Sequence, residues 1–147
     1  MQENLSQLER LENIGFKQVG EWSVELAKIK FTFIDTASAK NVLYAFISQN
    51  TVMYIGKTVQ TLRKRMDGYK NPSQTQSTNI KGNKLISEIL LSNHPVAIYA
   101  LPDNGLLFYG GFHVNLAAGL EDNLIKALNP PWNRTGLMPS KTQLSGT

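Results

Sequence analysis

The chain has 147 residues, 41% hydrophobic and 18% charged, with a net charge of +4. This balance supports one folded domain of ordinary size and excludes overall disorder. No apolar run approaches the roughly 18 residues of a membrane-spanning helix, and the polar, acidic start of the sequence (residues 1–12) reads as neither a secretory nor a transit signal. With no cysteine and only His94 and His113, the chain has no disulfides, thiolate nucleophiles, iron–sulfur clusters or cysteine-ligated zinc, and too few histidines for a multi-histidine zinc site. No membrane partner is expected, and a cytoplasmic location is the default.

In chain order, residues 4–14 read as a short helix. Leu5, Leu8 and Leu11 recur at helical spacing, and Gly15 is placed as a stop. Residues 25–34 alternate, with Ala27, Ile29, Phe31 and Phe33 on one face and Lys28, Lys30 and Thr32 on the other, the pattern of a half-buried strand. Residues 42–47 and 52–55 are apolar runs, and the polar Ser48-Gln49-Asn50-Thr51 between them predicts a hairpin. A helix is predicted over about 60–69, with Leu62, Met66 and Tyr69 on one stripe. Residues 71–79 read as a polar loop. Leu85, Ile86, Ile89 and Leu90 mark the next helix, which Asn93-His94-Pro95 stops. Residues 96–101 read as a strand and 102–105 as a turn. Residues 106–114, interrupted by Gly110-Gly111, fit neither period. Asn115 is placed to cap a helix to Leu128, which Pro130-Pro131 ends, and residues 135–147 read as a loose tail.

Charge is concentrated. Lys57, Arg63, Lys64, Arg65, Lys70, Lys81 and Lys84 fall within 28 residues that hold one acid, Asp67, while the rest of the chain is net negative. Such an excess is the footprint of a polyanion site, although a solvated basic face has the same composition.

Three features carry chemistry. Tyr54-Ile55-Gly56-Lys57 ends a strand, and the glycine there permits close approach to the backbone. Arg65 shares a helix face with Tyr69, four residues on. Glu121 interrupts an apolar stripe of Ala117, Ile125 and Leu128, a costly place for a carboxylate unless it is paired, metal-bound or able to reach water. Asp122 and Lys126 form an ordinary exposed pair on another face.

Taken together, Val42-Leu43-Tyr44, Tyr54-Ile55-Gly56-Lys57-Thr58, Leu62 with Arg65 and Tyr69, Glu121, and Asn129-Pro130-Pro131-Trp132-Asn133 resemble the GIY-YIG nuclease superfamily. The resemblance covers residues 41–134. It departs from the family pattern where Val-Leu-Tyr replaces Gly-Ile-Tyr and where Tyr69 stands at a position that is often histidine. It implies an α/β fold, a small antiparallel sheet flanked by helices, with residues 1–40 as an added helix and strand and 135–147 as a tail.

The resemblance also implies a reaction: hydrolysis of DNA phosphodiester bonds, either restriction-type or as loosely specific nicking. Glu121 would be the sole protein ligand of one divalent metal, Mg²⁺ or Mn²⁺. Arg65 would bind the scissile phosphate through its planar fork. Tyr54 would orient or deprotonate water, with Tyr44 as the runner-up and Lys57 a neighbour able to lower the phenol pKa. Tyr69 would pack, or hydrogen-bond the phosphate or a tyrosine, and Asn133 would orient groups in the site. Arg63, Lys64, Lys81 and Lys84 would add DNA affinity. Trp132 reads as core, and both histidines as structural. Double-stranded DNA is the expected partner, and cutting both strands at once calls for a homodimer or higher homo-oligomer. The alternative is a non-catalytic nucleic-acid-binding module of the same fold.

Overall fold

The computed structural model describes residues 5–35, 37–103 and 105–134. The chain runs α1 (Gln7–Asn13), β1 (Lys17–Glu25), β2 (Lys28–Phe33), β3 (Val42–Ser48), β4 (Thr51–Thr58), α2 (Leu62–Lys70), α3 (Ser77–Leu91), β5 (Val96–Pro102), β6 (Phe108–Tyr109), β7 (Phe112–His113) and α4 (Leu116–Leu128). A single 3-10 turn, Pro131–Asn133, follows. Five strands form one antiparallel sheet in the order β2-β1-β5-β3-β4, and β6 and β7 form a separate small hairpin. This is the α/β architecture that the sequence implied, a small antiparallel sheet with helices on it.

The continuous apolar run of β3 has a physical cause: the strand lies between β4 and β5, is covered on both faces, and is buried at every position. Val42, Tyr44 and Phe46 face a core shared with α2 and α3, while Leu43, Ala45 and Ile47 face a second core shared with α1 and α4. Phe46 centres the first core, with its ring against those of Trp22, Tyr44, Tyr54, Tyr69 and Trp132. The rings that carry the candidate hydroxyls are therefore packed by one another before any ligand arrives.

Several predicted boundaries shift. The helix at 4–14 is Gln7–Asn13, because Ser6 and Glu9 form a reciprocal capping box that sets its start. The single strand at 25–34 is replaced by a hairpin. Leu26 and Ala27 turn with positive φ (53° and 66°), and β1, which the alternation did not reveal, precedes them. β1 then pairs with β5, so residues 17–33 widen the same sheet. The β3–β4 hairpin turns at Gln49 and Asn50, both at positive φ (53° and 62°), as predicted. The helix at 60–69 runs over Leu62–Lys70, because Thr61 caps it from outside. The loop at 71–79 is shorter than expected: α3 begins at Ser77 and already buries Asn79. The ambiguous 106–114 stretch is the β6–β7 hairpin, turned by Gly110-Gly111, and it exposes Leu106, Phe108, Tyr109 and Phe112. The predicted tail at 135–147 lies outside the described residues. Among the described residues no helix is long and apolar enough to cross a membrane.

Candidate active site

The site gathers at β4, the outer strand of the sheet. Alternation along β4 sends Tyr54 into the core shared with α2 and α3, and Ile55 into the core shared with α1 and α4. Lys57, two residues beyond Ile55, faces α4. Gly56 pairs across the strands with Tyr44, and a Cβ there would lie 2.6 Å from the Tyr44 hydroxyl oxygen and 2.9 Å from a Tyr54 ring carbon. The glycine is therefore a requirement of tyrosine packing.

Thr61 caps α2 by accepting from Lys64 N, and the helix buries Leu62, Met66 and Tyr69. That phase brings Arg65 over the Tyr69 ring, with the guanidinium carbon 4.2 Å from its centroid. Arg65 Nη2 donates to Tyr69 Oη at 2.9 Å, and Nη1 donates to Asn79 Oδ1 at 2.7 Å. The Tyr69 and Tyr44 hydroxyls share a hydrogen bond of 2.8 Å. Burial raises the phenol pKa of Tyr44, Tyr69 and Tyr54 above the ordinary value, so all three are neutral hydroxyls near pH 7. For Tyr54, the hydrogen bond from Tyr69 and the charge of Arg65 oppose the rise, and the Glu121 carboxylate adds to it.

Glu121 is presented by α4. Asn115 caps this helix by accepting from Ala118 N, and Asn129 closes it in the left-handed conformation. The apolar stripe packs on the second core and leaves the Glu121 side chain 19% exposed, 3.7 Å from Lys57 Nζ. Burial raises its carboxyl pKa, and Lys57 pulls the other way. The expectation that Lys57 would lower the Tyr54 pKa is corrected here: burial raises the Tyr54 phenol instead, and the Lys57 ammonium pairs with Glu121.

Asn133 meets the backbone of β4. Its Oδ1 accepts from Ile55 N at 2.8 Å and its Nδ2 donates to Ile55 O at 2.9 Å. The carboxamide thus serves as a one-residue strand on the outer edge, reached through the Pro130-Pro131-Trp132 turn, with Trp132 buried as predicted. Arg63 lies over Phe31 and Phe33, 5.9 and 5.4 Å from their centroids. Lys64 and Lys84 are exposed and Lys81 is half-buried. His113 sits 3.5 Å from Asp103. Among the described residues no group of three or more His, Asp or Glu side chains could hold a metal. Glu121 is a single, half-buried carboxylate, and this oxygen donor suits a hard cation that keeps most of its water.

Asn79 and Gly68 were missed from the sequence. Asn79 shares a buried stripe with Gly82, Ile86 and Leu90, so helical phase extended backward through the polar run would have found it. A Cβ at Gly68 would meet Asn79 Nδ2 at 3.1 Å and Arg65 Nη1 at 3.2 Å.

No family model matches the sequence, and no curated protein matches it. Solved structures do. One is a glutamate-to-alanine mutant of bacteriophage T4 EndoII, with 25% identity and a TM-score of 0.69, matched over 88% of this chain and 100% of that one. Another is the restriction endonuclease HPY188I in complex with product DNA, with 19% identity and a TM-score of 0.52, matched over 87% of this chain and 84% of that one. The second shares the fold alone. The likeness to GIY-YIG nucleases read from the motifs thus extends to the whole architecture, and the chain resembles T4 EndoII over most of its length.

Proposed function

We propose that the protein is a divalent-metal-dependent DNA endonuclease of the GIY-YIG type. The observation that carries this reading is that Tyr54 of β4 feels both the charge of Arg65, which tyrosine and asparagine hold, and that of the half-buried Glu121 carboxylate. Phosphodiester hydrolysis needs an anchored phosphoryl group, an oriented water and charge stabilisation where the leaving oxygen departs. Arg65 supplies the anchor. The N–H groups that reach Asn79 and Tyr69 hold it in place, and its remaining N–H groups are offered to phosphate oxygens. The neutral Tyr54 hydroxyl accepts a hydrogen bond from the attacking water and orients its lone pair. Tyr44 and Tyr69 fix the hydroxyl network behind it. Asn133 holds the β4 backbone that presents Tyr54 and Lys57.

Glu121 would hold one Mg²⁺ or Mn²⁺, which supplies Lewis-acid stabilisation of charge on the phosphoryl and leaving oxygens. Lys57, Arg63, Lys64, Lys81 and Lys84 add attraction for the DNA backbone. Double-stranded DNA in the cytoplasm is the substrate of this reading, and two copies acting together would cut both strands. The test is digestion of supercoiled plasmid with Mg²⁺ by the wild type and by Glu121→Ala. Cutting by the wild type, and binding without cutting by the variant, is expected. Binding without cutting by both, across several divalent metals, would replace the enzyme with a nucleic-acid-binding module.

A further inference from the structure

Asn79 is a polar side chain buried to 6% exposure in the first turn of α3, away from the strands that carry the tyrosines. A buried carboxamide is costly unless both its ends are satisfied. Both are: Oδ1 accepts from Arg65 Nη1 at 2.7 Å, and Nδ2 donates to Gln76 Oε1 at 2.9 Å. The amide orientation is fixed by chemistry, because a guanidinium offers only donors and the oxygen must face it. Gly68, one turn beyond Arg65 on α2, leaves room for the pair.

We propose that Asn79 is a positioning residue that locks the plane of the Arg65 guanidinium for phosphate binding. The inference rests on the nuclease reading and adds to it a residue outside the motifs. The Tyr69 ring fixes the guanidinium from one face and Tyr69 Oη takes one terminal nitrogen. Those two contacts lie on a single side chain, and the Tyr44 hydroxyl attracts the guanidinium from β3. Asn79, on a different helix, takes the other terminal nitrogen and fixes the guanidinium plane from the side the tyrosines leave open. Gln76, exposed at the start of α3, holds the carboxamide in turn. An arginine fixed before substrate arrives keeps its remaining donors aimed, and this matters most as charge grows on the phosphoryl oxygens.

The experiment pairs single-turnover plasmid cleavage with ¹⁵N–¹H spectra of the arginine side chains. In the wild type the Arg65 Nη–H signals should be resolved, because rotation about the guanidinium bond is slowed. Asn79→Ala should merge them, leave the backbone spectrum folded, and slow cleavage roughly 10- to 100-fold with little change in DNA affinity. Asn79→Asp keeps the acceptor, so the Nη–H signals should stay resolved. Its charge competes with the phosphate, so DNA binding should weaken. Should Asn79→Ala fail to fold, Gln76→Ala removes only the outer support and should broaden the signals and slow cleavage by roughly threefold. Cleavage at the wild-type rate by the folded Asn79→Ala protein, or by Gln76→Ala in its place, overturns the proposal. Failure of the wild type to cut DNA removes the nuclease reading itself, and this is seen before any variant is compared.

Discussion

Arg65 is held by Tyr69 and Asn79 in contacts of 2.9 and 2.7 Å, whereas Glu121 meets a half-exposed lysine at 3.7 Å. The first arrangement is a rigid donor set built into the core, whose aromatic rings brace one another around Phe46. The second is a carboxylate with spare acceptor capacity at the solvent boundary. The difference teaches where each task has to be done. A phosphate anchor works best when its geometry is settled beforehand, while a carboxylate that takes a hydrated cation needs room for water. If this division is real, changes on the Arg65 side should cost stability and activity together. Changes on the Glu121 side should separate the two.

Gly56→Ala should break the rigid side most severely. The new Cβ would sit 2.6 Å from the Tyr44 hydroxyl oxygen, and Tyr44 is fully buried with nowhere to move. We expect a loss of about 3 kcal/mol in urea unfolding, with cleavage abolished in whatever remains folded. Asn133→Ala comes next. It strands the N–H and C=O of Ile55 on the outer strand, at a cost of about 2 kcal/mol. Hydrogen exchange should show the Ile55 amide losing its protection before the amides of β3.

How much of this was visible in the sequence follows from the same physics. β3 and β4 were legible as continuous apolar runs either side of a polar turn, and α2 and α4 from apolar residues at helical spacing. The candidate site residues on them were named from the motifs that resemble the GIY-YIG superfamily. β1 was not legible, since Lys17–Glu25, although paired on both sides, has interrupted burial and a register that shifts between Gln18 and Gly20. A bulge breaks the period of two that reveals a strand. Asn79 was hidden for another reason: its partner Arg65 is fourteen residues away and on another helix, and local composition around it reads as loop. Asn133 was noticed, but its hydrogen bonds to Ile55 span 78 residues and belong to tertiary structure.

Asp103 tests the anchorage of the helix that carries Glu121. Its carboxylate accepts from Gly105 N at 2.9 Å and from Leu116 N, at the start of α4, at 3.3 Å. The Gly105 N–H lowers its pKa most, burial opposes this, and the Leu116 N–H and the charge of His113 add to the lowering, so it lies below the usual carboxylate range. A depressed folded-state pKa gives stability that is complete above the unfolded value of about 4 and is lost as pH falls through the folded value. Asp103→Asn should therefore melt earlier than wild type at pH 7, by about 1 kcal/mol. The two melting curves should converge in strong acid. A gap that persists there would assign the loss to packing.

The smallest effect on stability is expected at Lys57, and it bears most directly on the contrast between the two sides. Its pairing with Glu121 is long and its side chain is 46% exposed, so water and salt screen most of the attraction. Lys57→Met keeps much of the aliphatic stem and removes the charge. The folded state should change by no more than about 0.5 kcal/mol. The Glu121 carboxyl loses a neighbour that favours its charged form, so its pKa should rise further and the cleavage–pH profile should move to higher pH. Cleavage near neutrality should fall with the lost contact to the DNA backbone, and that deficit should shrink as salt is raised, because the wild type then loses the same attraction. A fall of more than 1 kcal/mol in stability, with the cleavage profile unmoved, would make the pair a structural tie. The two sides of the site would then be alike in construction.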